Sequence, residues 1–122
     1  MNNLDEVFET LKIFFADIPN IITLKNEKYY QSIFYVIFKI LNLNIDVEIN
    51  TNIGRIDAVV KTKTHIYIIE FKLGSSANMA LKQIREKKYY EKYLDDEREK
   101  LLVGVSFSAK KRNIVRYIVE EI

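Results

Sequence analysis

The sequence predicts a mixed α/β domain, with two helices, three strands, a third helix, a fourth strand and a fifth strand. Three observations carry that prediction. Apolar residues recur at helical spacing over 3–17 and 26–42. Alternating and then continuous apolar runs fill 45–73 and are broken at Gly54 and at Lys63-Thr64. A charged helical stretch over 77–94 then leads into the apolar run Leu101 to Phe107. At 122 residues the size suits one domain, 1–122, with residues 1–22 as a helical extension at its start.

The first helix runs from Asn3 to Asp17. Leu4, Val7, Phe8, Leu11, Phe14, Phe15 and Ile18 form its stripe, Asn3 with Glu6 resembles a capping box, and Pro19 marks the end. The second helix, 26–42, places Tyr30, Ile33, Phe34, Ile37, Phe38 and Leu41 on one side. Glu27 lies in its first turn, where the helix dipole favours an acid, and Gln31 is one turn on, on the same face. Ile45 to Asn50 alternates as a first strand, and Gly54 permits a bulge or a close backbone approach. Strands follow at Arg55–Lys61 and His65–Leu73. Gly74-Ser75-Ser76 offers an N-cap to the third helix, whose buried candidates are Met79, Ile84, Tyr90 and Leu94. Asp95 to Lys100 reads as a charged loop, and Ala109 to Asn113 as a basic connection. Ile114 to Ile122 is rich in β-branched residues and reads as the fifth strand, although a short helix also fits.

Composition excludes several chemistries. No cysteine is present, so disulfides, thiolate metal sites and cysteine nucleophiles drop out together. A single histidine, His65, argues against a histidine-rich metal site or a serine–histidine triad. The start of the chain is polar and no long apolar run occurs, so the reading has no signal peptide and no membrane span, and places the protein in the cytoplasm. A net charge of +2 is too small to argue for nucleic acid alone.

The hairpin over 55–73 concentrates the chemistry. With Lys63-Thr64 as a two-residue loop, Asp57 lies opposite Glu70, with Cβ atoms roughly 5 Å apart. Lys63-Thr64 lacks the Asn-Gly signature of such loops, which leaves the register open by one or two residues. Period-two alternation puts Glu70 and Lys72 on one face with Ile66 and Ile68. Tyr67, Ile69, Phe71 and Leu73 fill the other face, so this is a central strand covered on both sides. Facing carboxylates there repel by about 4 kcal/mol at about 4 Å and an effective dielectric near 20. A hard divalent cation offsets that repulsion, since Mg²⁺ takes carboxylate oxygens and keeps several waters. Lys72 adds a point charge that can serve an attacking water. A buried Asp/Glu/Lys ion cluster without catalysis is the competing reading.

Gly54-Arg55-Ile56-Asp57, a gap of twelve residues, and Glu70-Phe71-Lys72 resemble the signature of the PD-(D/E)XK nuclease superfamily. The likeness is greatest to the branch usually found behind an AAA-ATPase-like domain. It extends over residues 25–113, through Glu27-Lys-Tyr-Tyr30, Ala80-Leu81-Lys-Gln83-Ile84 and Val103-Gly104. The proline of the family element is absent, and Ile56 precedes Asp57. The resemblance implies a restriction-endonuclease-like αβββαβ core. It implies Asp57, Glu70 and the Phe71 carbonyl as ligands of Mg²⁺ or Mn²⁺, Lys72 beside the attacking water, Glu27 as a supporting acid and Gln83 as a helix residue at the site.

Arg55, Lys82, Arg85, Lys87 and Lys88 are candidate phosphate contacts, with Tyr89 interleaved as an exposed ring for stacking. A second basic group is Lys110, Lys111, Arg112 and Arg116. The expected partner is nucleic acid, DNA foremost, with no membrane, and a homo-oligomer through the N-terminal helix is a further reading. The primary function is a metal-dependent nuclease. The alternative is a catalytically inactive module of the same fold that binds nucleic acid or protein.

Overall fold

The computed structural model describes residues 4–18, 27–40, 44–50 and 54–122; within these, the side chains of residues 27 and 48–50 lie outside the description. Among the described residues the order is α1 (Leu4–Asp17), α2 (Glu27–Ile40), β1 (Asn44–Asn50), β2 (Arg55–Lys61), β3 (His65–Leu73), α3 (Ala77–Lys87), a 3₁₀ segment (Tyr89–Tyr93), β4 (Glu99–Ser108) and β5 (Asn113–Glu121). The fifth strand is therefore a strand and not a helix. The proposed caps and stops at Asn3 and Pro19, and Leu41 on the second helix, lie outside the described residues.

The five strands form one mixed sheet in the order β1-β2-β3-β4-β5. β3 and β4 are parallel, and the other neighbours are antiparallel. A parallel pair needs a crossover, and α3 with the 3₁₀ segment supplies it. The β2–β3 register is Ala58↔Ile69, Val59↔Ile68, Val60↔Tyr67 and Lys61↔Ile66. That is the register a two-residue loop at Lys63-Thr64 dictates. The loop needs no Asn-Gly because Thr62 organises it. The Thr62 hydroxyl accepts from the His65 N–H at 2.9 Å, and the Thr62 N–H donates to the His65 carbonyl at 2.9 Å.

Helices cover both faces. α1 and α2 press Phe8, Leu11, Phe34 and Phe38 onto Tyr67, Ile69, Phe71, Val103 and Phe107. The α3 side packs Leu81, Ile84, Tyr89 and Tyr93 onto Val59, Ile66, Ile68 and Leu102. Both faces of β3 are thus buried, as its doubly apolar sequence requires. α1 docks over β5, where Phe8 stacks on Tyr117 with ring centroids 4.0 Å apart. Asn113 Nδ2 also donates to the Lys12 carbonyl at 2.9 Å. Its buried residues, Leu4, Phe8, Leu11 and Phe15, are spent inside this chain. Phe14, expected on that stripe, is exposed instead, since the buried side of α1 is narrow.

The third helix also departs from the expectation. α3 is capped by Ser76, whose Oγ accepts from the Met79 N–H at 3.1 Å, but stops at Lys87 rather than running to residue 94. Lys88 adopts the left-handed conformation at φ 52°, which costs a non-glycine residue roughly 1–2 kcal/mol. Burial of Tyr89 and Tyr93 beyond the break offsets that cost. The buried face is Ala77, Ala80, Leu81 and Ile84, while Met79 and Leu94 are exposed and Tyr90 is half-buried. Strand four opens two residues inside the expected charged loop, at Glu99. There Arg98 clasps the Asp96 carboxylate through two nitrogens and donates to the Thr62 carbonyl at 3.1 Å, which ties the crossover to the hairpin.

Candidate active site

The β2–β3 ladder stops at Ala58↔Ile69. One residue further, the Asp57 carboxylate reaches across: its Oδ2 accepts from the Phe71 N–H at 2.9 Å. The α2 side chain of Gln31, buried, donates through Nε2 to the Asp57 carbonyl at 2.8 Å. Asp57 is therefore held from β3 by its side chain and from α2 by its backbone. The sequence reading placed Gln31 beside Glu27 without giving it this role; the signal was a polar residue within an apolar helical stripe.

Glu70 leaves β3 toward α3 and is only 4% exposed. Its Oε2 accepts from Gln83 Nε2 at 2.8 Å. Gln83 Oε1 accepts in turn from Lys72 Nζ, two residues along the same strand face. One amide thus joins the acid and the lysine that strand parity places together. Gly104 makes the approach of α3 feasible. It pairs with Glu70 across β3 and β4, and a Cβ there would lie 2.3 Å from the Ala77 carbonyl oxygen and 3.0 Å from Leu81 Cγ. No local signal in the sequence identifies this need.

The remaining candidates divide. Arg55 begins β2, two residues before Asp57, and is exposed. Lys82, Lys87 and Lys88 are exposed, and Lys87 stands one helical turn from Gln83, on its side of α3. Arg85 is committed elsewhere: its guanidinium donates to Glu120 Oε1 and to the Glu121 carbonyl, both at 3.0 Å. Tyr89 is not an exposed stacking ring. It is 4% exposed and belongs to the core beneath α3, because the Lys88 break turns it inward. Glu27 lies in the first turn of α2, and its side chain is outside the described residues. His65 sits at the far end of β3, 3.0 Å from Glu99 through Nε2, and takes no part in the site.

Among the described residues no three or more His, Cys, Asp or Glu side chains cluster as a metal site. The donor set that the resemblance implies is two carboxylates, Asp57 and Glu70, with the Phe71 carbonyl. It does not suit zinc, which prefers nitrogen and sulfur. It suits Mg²⁺, which takes one or two carboxylates and fills the rest of its octahedron with water and substrate oxygens. An acid as enclosed as Glu70 also calls for opposite charge nearby when ionised.

A mixed sheet clad by helices, an acid near the start of β2 and a Glu-x-Lys on β3 define a restriction-endonuclease-like protein. The family model of the PD-(D/E)XK nuclease superfamily matches residues 25–117, and the chain belongs to that superfamily. Members of it generally use divalent metals. α1 lies outside the matched span. A curated relative, an uncharacterized protein in the vnfD 5′ region of Azotobacter chroococcum mcd 1, is 38% identical over 116 residues. That match covers 89% of this chain, and the chain spans 22% of the relative's length. No solved structure matches the chain. Among the described residues no helix is long and apolar enough to cross a membrane.

Proposed function

We propose that the chain is a divalent-metal-dependent nuclease that hydrolyses phosphodiester bonds, with DNA as its first substrate. The observation that carries this reading is the α3 amide of Gln83 bridging Glu70 and Lys72 on the strand next to Asp57. Asp57, Glu70 and the Phe71 carbonyl would hold Mg²⁺ or Mn²⁺. When bound, such an ion supplies positive charge against the charge that builds on the phosphate. Lys72 has three N–H donors; one goes to Gln83, and the others can orient the attacking water and a phosphate oxygen. Gln83 fixes Glu70 and Lys72 relative to each other. Glu27 supports the metal side from α2, and Arg55, Lys82, Lys87 and Lys88 receive the nucleic-acid backbone.

Residues 1–122 are read as one cytoplasmic nuclease domain, similar to the branch usually found behind an ATPase-like domain.

The test is cleavage of plasmid and single-stranded DNA with Mg²⁺ or Mn²⁺ by wild type, Asp57→Ala and Lys72→Ala. Cleavage by wild type alone is the expected result. Equal behaviour of all three over a wide enzyme range overturns the reading, and salt-sensitive binding without cleavage replaces it with the inactive binding module.

A further inference from the structure

We infer that Tyr89 is a positioning residue for this site, helping to hold the Gln83 amide where it serves Glu70 and Lys72. Its catalytic consequence rests on the nuclease reading; its structural consequence rests on geometry alone.

The Gln83 amide has a sidedness. Its nitrogen faces two oxygens, Glu70 Oε2 at 2.8 Å and the Tyr89 hydroxyl at 3.5 Å, while its oxygen faces the Lys72 ammonium. Turned over, it would set oxygen against the Glu70 carboxylate and NH₂ against NH₃⁺. Glu70 and Lys72 thus set the orientation, and the Tyr89 hydroxyl, which can donate or accept, gives the amide a third polar neighbour on its nitrogen side. At 3.5 Å this contact is at the outer limit of a hydrogen bond.

The chain bends to place that hydroxyl. In an unbroken helix, residue 89 would lie about 240° around the axis from residue 83, at about 100° per residue. The left-handed Lys88 breaks the helix and brings the phenol back beneath Gln83. The ring is then walled by Gly54, near the start of β2. A Cβ on Gly54 would meet the Tyr89 hydroxyl at 3.4 Å and Cε1 at 3.5 Å, ordinary contact distances, so the ring lies directly against Gly54. Gly54 and Gln83, distant in sequence, thus converge on one phenol. A buried ring with its oxygen turned to a site amide is not placed to stack on a base.

Tyr89→Phe keeps the ring and removes only the oxygen. The experiment records melting temperature, the Gln83 side-chain amide signals in ¹⁵N–¹H NMR spectra, and kcat and KM for DNA cleavage. The expected result is unchanged melting, shifted and faster-exchanging Gln83 amide signals, and kcat lowered about threefold at constant KM, the low end for one net hydrogen bond. Gly54→Val, which crowds the phenol without altering it, should shift the same amide signals. Gln83 signals in Tyr89→Phe that match wild type, or an unchanged kcat, overturn the inference. A shifted amide with no cleavage by any form, wild type included, sinks the nuclease reading and leaves the positioning intact.

Discussion

Glu70 Oε2 lies 2.8 Å from Gln83 Nε2, so the buried acid of the central strand is anchored from the helix that covers it. The same amide accepts from Lys72, which makes Gln83 the joint between the two β3 residues.

Gln83→Ala removes two hydrogen bonds to charged groups, each worth about 1.5–3 kcal/mol. We expect kcat/KM to fall about 10- to 100-fold in a Mg²⁺ cleavage assay with the fold retained by circular dichroism. Gln83→Glu should be worse, because it sets a carboxylate against Glu70.

Lys72→Met keeps the stem and removes the charge. Loss of a group that handles the attacking water should lower kcat about 10²- to 10⁴-fold. Lys72→Arg should not restore it, since a planar guanidinium cannot reproduce a compact ammonium against Gln83 Oε1. Single-turnover cleavage reads both variants.

Gly104→Ala drives a methyl to within 2.3 Å of the Ala77 carbonyl. Backbone must move, so α3 lifts from β4, and stability should fall by about 2 kcal/mol or more. Urea unfolding measures that loss. Cleavage should fall with it, because α3 carries Gln83.

Where local rules governed, the sequence was legible. Loop length and strand parity dictated the β2–β3 register and put Glu70 and Lys72 on one face. The acid and the Glu-x-Lys pair were visible for the same reason, because they lie close together on two paired strands. The end of α3 was not legible. Apolar residues continue at helical spacing through Tyr90 and Leu94, yet burial of Tyr89 and Tyr93 outweighs the strain at Lys88 and breaks the helix. Phe14 misled because spacing shows an apolar stripe but not how much of it the sheet covers. Gly104 and the Gln31 bond to Asp57 depend on approaches between distant segments, which no local pattern encodes.

Burial, then the hydrogen bond to Asp5 and the Asp5 and Glu9 charges, pushes the Tyr117 phenol up to about 12. In the unfolded chain it ionises near 10. Below about pH 10 both states keep the proton and the full stabilisation is present; between about 10 and 12 only the unfolded state releases it, so stability falls. Melting curves from pH 8 to 12 should show a steeper decline for wild type than for Tyr117→Phe. Parallel declines would remove this contact between α1 and β5 from the account.

The central claim is that Asp57, Glu70 and the Phe71 carbonyl form one divalent-metal site. Anomalous diffraction from crystals soaked in Mn²⁺ tests it most directly. The expected result is a single anomalous peak bonded to both carboxylates and to that carbonyl, at about 2.0–2.3 Å, and its loss in Asp57→Asn. A peak elsewhere, or none at saturating Mn²⁺, would contradict it.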